Sequence, residues 1–310
     1  MSILPPRAPD LRKARAARFS IVSNTALIAL KVVAGVLTGS VAIITEAVHS
    51  GVDLVASLVA YFSVRKAEDP PDRSHPYGHE KVENLAAALE GLLIVLGAAI
   101  IIYEAIGNLS EGAHVEKLGI GIAVIGFSAA VNFAISRYLY GQAKLTDSPA
   151  LEGDAAHLRT DAFTSVGVLI ALALVAVTGV QELDAVAALV VAVAIVFAGV
   201  RLVSRSSRVL VDEALPEEEL ERIAAAIEGD HAPEVIGYHK LRARRAGSRR
   251  YIDLHVQFAR GTTLVRAHQL SNELQAAIRG AVGGADVLIH LEPEDALEPR
   301  EPGPLDVHRL

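Results

Sequence analysis

The chain contains no cysteine. That absence excludes disulfides and every thiolate metal site, so any transition metal it holds must be bound by imidazole and carboxylate. Charge is scarce too. Asp, Glu, Lys and Arg make up 21% of the 310 residues against 52% hydrophobic, and mean hydropathy is +0.38, the balance of a membrane protein. Formal net charge is −7, so no basic surplus points to nucleic acid as a partner. No HExxH occurs, which removes the pattern by which one helix supplies both zinc ligands and the general base of a metalloprotease. The first twenty residues hold Arg7, Arg12, Lys13, Arg15 and Arg18 but no short apolar core followed by a small-residue cleavage site. No cleavable signal peptide is expected, and residues 1–16 read as a basic tail retained in the cytoplasm.

What is abundant is apolar sequence in long runs. Segments of the length that crosses a bilayer, about 20 residues, fall near 18–38, 41–64, 83–106, 116–140, 153–178 and 184–203. The second and fifth are weak by hydropathy alone, because each opens with ionisable residues. Lys and Arg gather in the N-terminal tail, in the 65–81 loop, around Arg137 and Lys144, and at Arg201, Arg205 and Arg208. The alternate turns at 38–40, 107–117 and 179–183 hold one Lys and no Arg. Both termini are therefore expected on the cytoplasmic side of a six-helix domain spanning 17–208.

After Arg208 the pattern becomes that of a soluble domain, 209–293. "PEEELERIAAAI" (216–227) starts a helix with Pro and acids. "VIGYHKLRARRAG" and "RRYIDLHVQFARG" alternate around Gly247 and Ser248, which predicts a β-hairpin. A helix over 264–282 and a strand in "ADVLIHLEP" complete the order α-β-β-α-β, that of a two-layer α+β domain of the ferredoxin-like kind. Four prolines from Pro293 to Pro304 mark 294–310 as a disordered tail.

Two stretches carry the chemistry. "EAVHSGVD" (46–53) and "DAAHLRTD" (154–161) both place His four residues before Asp, and Glu46, Ala47, His49, Asp53 and Ser57 align with Asp154, Ala155, His157, Asp161 and Ser165. Residues four apart share a helical face. Two such helices side by side offer two nitrogens and two oxygens, a complete tetrahedral set for Zn²⁺, with no open position for an activated water, so no enzyme is expected. An ionisable residue at the centre of a span costs about 2.5–3.5 kcal/mol on insertion scales, and four in matching arrays are an expensive way to pack. Ca²⁺ and Mg²⁺ prefer all-oxygen cages, whereas this set suits Zn²⁺, Fe²⁺ or Co²⁺. Lys31, Glu90, Glu104 and Asn132 are further polar residues inside the spans, lining a wet cavity or bonding helix to helix; Glu46 and Asp154 either orient imidazole or line an entry path.

Six spans, HxxxD in the second and fifth, the loop "DRSHPYGHEKVENLAA" (72–87) and the C-terminal α-β-β-α-β pattern together resemble the cation diffusion facilitator family of divalent-metal/proton antiporters, over about residues 15–292. The resemblance implies a transport site of His49, Asp53, His157 and Asp161, the His at 49 matching the zinc-preferring branch. It implies a second zinc site in the cytoplasmic loop at Asp72, His75 and His79. It implies a third at the dimer interface of the cytoplasmic domain, from His239, His255, His268, His290 and Glu292, where the family has Asp in place of Glu292. Lys81 and Asp212 match an interlocking ion pair. The expected function is export of Zn²⁺ by a homodimer in a bacterial inner membrane, in exchange for protons and by alternating access. The alternatives are an Fe²⁺, Co²⁺ or Cd²⁺ exporter of the same family, or a metal sensor without transport. His114, His231 and His308 match nothing and read as solvated surface groups.

Overall fold

A computed structural model describes residues 10–39, 41–111, 119–180, 182–229, 232–295 and 308–309. These form two compact units divided between Ser207 and Arg208. The first consists of helices α1 (Leu11–Thr38), α2 (Val41–Ala67), α3 (Lys81–Glu111), α4 (Gly119–Thr146), α5 (Pro149–Thr178) and α6 (Glu182–Leu210), the last of which runs across the division. At 27 to 31 residues such helices are about 40–47 Å long at 1.5 Å per residue, more than the ~30 Å hydrocarbon layer. Capping sets several ends. The Asp10 carboxylate accepts from the Arg12 amide at 3.0 Å, Ser148 caps α5 with Pro149 at its first position, and Gly39 and Gly179 close α1 and α5 in the left-handed region, the conformation glycine adopts without strain.

Among the described residues, five helices, α1 and α3 to α6, are long and apolar enough to cross a membrane. The distribution of side chains carries the same message. Large apolar residues such as Val36, Phe62, Leu96, Phe163 and Phe197 lie exposed, while Ser20, Asn24, Lys31, Asp53, Glu90, Asn132, Asp154 and His157 are buried. A polar interior with an apolar exterior is the arrangement lipid requires. Small residues bring the helices together. Ala16, Ala17, Ala143, Ala150 and Ala155 pack with Leu139, Leu151 and Leu158. A side-chain carbon at Gly91 in α3 would lie 3.0 Å from the Gly199 carbonyl oxygen of α6, and one at Gly153 in α5 would lie 3.1 Å from Cγ of Glu90. Both glycines therefore mark backbone approaches that alanine would obstruct.

The second unit comprises α7 (Glu217–Ile227), β1 (Val235–Ala246), β2 (Arg249–Phe258), α8 (Leu264–Val282), β3 (Ala285–Pro293) and β4 (His308–Arg309). The sheet order is β3-β2-β1-β4. β1 and β2 form the expected antiparallel hairpin about Gly247, whose φ of 54° suits the turn, and β3 joins β2 in parallel. Ile223, Ile227, Leu270, Leu274 and Ile278 from the helices pack on Tyr238, Ile252, Leu254 and Val256, so one face of the sheet is covered. Glu219 ties α7 to the sheet through Arg250 at 2.5 Å and Arg245 at 3.0 Å.

Two expectations about the ends need correction. α1 begins at Leu11, so residues 11–16 are helix rather than tail, and Lys13 is buried with its ammonium 2.7 Å from Glu83. In the C-terminal segment, expected to be disordered, His308 and Arg309 pair with Tyr238 and Gly237 of β1. The remainder of the segment beyond Asp295, with His114 and His231, lies outside the described residues.

Candidate metal centres

On α5 the four-residue spacing sets His157 and Asp161 on one face, and Asp53 of α2 lies beside them. Asp53, His157 and Asp161 each turn a ligand atom into one cluster, all within 4.8 Å of one another. His157 Nε2 lies 3.3 Å from Asp53 Oδ1 and 3.8 Å from Asp161 Oδ2. Asp53 and His157 are buried. His49 sits on α2 one turn before Asp53; its side chain, like that of Glu46, is outside the described set.

Around this cluster runs a chain of hydrogen bonds from α1. Asn24 Nδ2 donates to Ser57 Oγ at 2.8 Å, Ser57 donates to Asp154 Oδ1 at 2.9 Å, and Ser20 Oγ lies 2.9 Å from Ser57. Asp154 is thus bonded to serine of α2 rather than to imidazole. The carboxylate that faces the imidazole is Glu90 of α3, whose Oε2 is 3.6 Å from His157 Nδ1. By sequence alone Glu90 is one of several polar residues inside the spans that line a cavity or bond helix to helix, with no part in the cluster. Nothing in local spacing pairs positions 67 residues apart, and the one available signal was an acid in the middle of an apolar run. Lys31, also buried, donates to Ser50 at 2.6 Å.

In the loop after α2, Asp72, His75 and His79 also converge. Asp72 Oδ1 accepts from the backbone amides of His75 at 2.7 Å and Ser74 at 2.8 Å, which hold its carboxyl below the usual carboxylate range. Its other oxygen is 3.2 Å from His79 Nε2, and His75 Nδ1 is 3.3 Å from Oδ1. The His79–Asp72 contact has hydrogen-bond length but not hydrogen-bond alignment, leaving Nε2 without a bonded partner among the described residues. Gly78, at φ 97°, makes the turn that brings His79 back.

On the sheet of the second unit, strand alternation puts His239 and His255 on the face away from the helices, directly paired in register, with His255 also opposite His290. Glu292 spans the two histidines, 2.7 Å from His239 Nε2 and 2.6 Å from His255 Nδ1. Burial raises the Glu292 pKa, but the hydrogen bonds from His255 and His239 outweigh it and leave the group below its ordinary value. His239, His255 and Glu292 form a compact donor set. His290, largely exposed, is at its edge, 3.8 Å from Glu292. His268 does not join it. It lies on α8, in the helical layer, with Nε2 3.4 Å from Asn272, because the helix packs on the opposite face of the sheet.

Of the residues read as an interlocking pair, Lys81 is the first of α3, in the first unit. Asp212 follows α6 in the second, with φ 63° and its carboxylate 3.0 Å from Arg244. Glu83, two residues after Lys81, is instead buried between Lys13 and Ser148, whose hydroxyl donates to its second oxygen.

Residues 17–211 match the cation efflux transmembrane domain and residues 215–294 the cytoplasmic domain of cation efflux proteins. An uncharacterized transporter of Synechocystis is 34% identical over 274 residues, covering 88% of both chains. The cation-efflux pump FieF of Pectobacterium atrosepticum is 33% identical over 299 residues, covering 94% of this chain and 98% of the pump. The metal-bound C-terminal domain of the CzcD transporter from Thermotoga maritima is 26% identical, covering 27% of this chain and 100% of that structure with a TM-score of 0.25. With one family domain along the six helices and the other along the α+β unit, the chain belongs to the cation diffusion facilitator family of multi-span cation efflux transporters.

Proposed function

We propose that the protein exports Zn²⁺ from the cytoplasm in exchange for protons, carrying the ion between α2 and α5. The observation that carries this reading is the buried convergence of Asp53, His157 and Asp161 from two neighbouring helices, to which the repeated motif adds His49. Two imidazoles and two carboxylates suit Zn²⁺. Imidazole binds metal only through a free lone pair, so a proton and the metal compete for the same nitrogen. Loading then expels protons, and release on the far side takes protons up. With the site open alternately to either side, an inward proton gradient drives metal outward. The basic residues near the ends of α2, α4 and α6, Arg65, Lys66, Lys144 and Arg208, support cytoplasmic termini in a bacterial inner membrane. The His239, His255 and Glu292 set supports a regulatory metal site on a domain that pairs two copies of the chain, and the Asp72, His75 and His79 set a further zinc site in the loop.

Reconstitution into liposomes with a zinc-sensitive and a pH-sensitive dye tests the proposal. Zinc movement should be matched by opposite proton movement, and His157→Ala should abolish both. Zinc flux without a pH change refutes exchange, and native flux in His157→Ala refutes the site. Repeating the assay with Fe²⁺, Co²⁺ and Cd²⁺ ranks the cargo.

A further inference from the structure

The His157 ring has two nitrogens with different neighbours. Nε2 points at Asp53 and Asp161, the side on which the cation would sit. Nδ1 points the other way, toward Oε2 of Glu90 on α3 at 3.6 Å. Glu90 is fully buried. Among the described residues neither of its carboxylate oxygens has a hydrogen-bond partner, and neither does His157 Nδ1. Buried polar atoms left without a hydrogen bond are costly, and two of these three, Glu90 Oε2 and His157 Nδ1, lie 3.6 Å apart, placed to serve one another. The fold makes room for this meeting. Gly153, one turn before His157 on α5, leaves the space that Cβ and Cγ of Glu90 occupy, since a side-chain carbon there would fall 3.2 Å and 3.1 Å from them.

We infer that Glu90 is a positioning residue for the transport site, an inference that rests on the assignment of His157 as a metal ligand. For Nε2 to present its lone pair to a cation, the ring's hydrogen must reside on Nδ1. A carboxylate facing Nδ1 favours that tautomer, fixes the ring's orientation and makes Nε2 a stronger donor, as acids behind metal-bound histidines commonly do. The 3.6 Å separation is slightly longer than a hydrogen bond, a gap that a small rotation of the ring closes on loading. The site then draws on three helices: α2 and α5 for ligands, and α3 for the group that aims one of them.

The test uses the full chain in detergent with ¹⁵N-labelled histidine, carrying His79→Ala and His239→Ala to silence the cytoplasmic sets. The ring resonances of His157 are assigned by their loss in His157→Ala. Expected are a hydrogen on Nδ1 in the parent, a shift toward a tautomer mixture in Glu90→Leu, and a 10- to 100-fold weaker zinc affinity. In the His157→Ala background Glu90→Leu should cause no additional loss. Glu90→Gln keeps the shape and an acceptor oxygen, so it folds even where Leu does not, with a smaller loss of affinity and partial retention of the tautomer. Gly153→Ala, which displaces Glu90 without touching its charge, should move the same resonances. Unchanged resonances and affinity in Glu90→Gln and Glu90→Leu overturn the inference, as does a full additional loss in the double variant. Should His157→Ala bind zinc as the parent does, the transport-site reading fails instead, and the tautomer shift still reports on Glu90 separately.

Discussion

Asp53→Asn is the sharpest perturbation of the proposed transport site. The substitution preserves size at a buried position, and the contact from Asn24 is to the Asp53 backbone oxygen, which the change leaves intact. What is lost is the negative charge and one anionic oxygen, 3.3 Å from His157 Nε2. Four-ligand zinc sites in small domains bind with about 10–16 kcal/mol in apparent free energy, or roughly 2.5–4 kcal/mol per ligand if shared equally. At 1.4 kcal/mol per factor of ten, zinc affinity should fall on the order of 10²- to 10³-fold. Calorimetric titration of the full chain, with the loop and sheet sets silenced by His79→Ala and His239→Ala, measures this directly, and flux into liposomes should fall in parallel. Asp53→Asn protein that keeps native affinity and flux would refute the idea that these carboxylates hold the cargo.

Other expectations concern packing and the soluble domain. Glu219→Gln removes the buried partner of Arg250 and should destabilise the C-terminal unit by about 3–5 kcal/mol, read as a lower melting temperature and faster tryptic cleavage of that unit. Burial pushes Glu219 up, but the Arg250 and Arg245 guanidiniums hold its pKa below the ordinary value. Its folded pKa is thus below its unfolded one, and the ion pair contributes in full above the ordinary carboxylate range. The contribution fades as pH falls from about 5 through the depressed value, so acid melting of native and Glu219→Gln chains should converge there. If His239, His255 and Glu292 bind zinc, free zinc at 100 times the dissociation constant should stabilise the folded unit by about 2.7 kcal/mol; His255→Ala should erase that shift in a melt with and without chelator. Gly91→Val should impair assembly of the first unit, because its side chain meets Val203 and the Gly199 carbonyl, and gel filtration in detergent would register the change.

Much of the candidate chemistry was legible because it depends on short-range periodicity. HxxxD places two side chains on one helical face whatever the helix packs against, and the three loop residues lie within eight positions. Alternation along β1 and β2 is sufficient to put His239 and His255 on the same sheet face. The residues that escaped reading depend on how distant elements are rotated against each other. Lys13 and Glu83 are 70 residues apart, and Glu90 faces His157 only because α3 turns that side toward α5. A helix apolar on every face gives no sequence signal for its rotation. His268 was grouped with the sheet histidines by resemblance, although α8 keeps it in the other layer. β4, two residues long, falls in a segment whose prolines argue for no structure.

The contact between Gly91 and Gly199 bears on how the bundle could move. Where α3 and α6 meet at these glycines each helix receives a side chain of the other, Val203 of α6 over Gly91 and Val95 and Ile94 of α3 over Gly199, so the two are keyed together along the seam, and prying them apart would expose peptide groups to lipid. Glu90 is the residue next to this seam. A displacement of α6 would therefore carry α3 with it and move a single carboxylate behind the imidazole, giving a helix that supplies no ligand a lever on the ligand of α5.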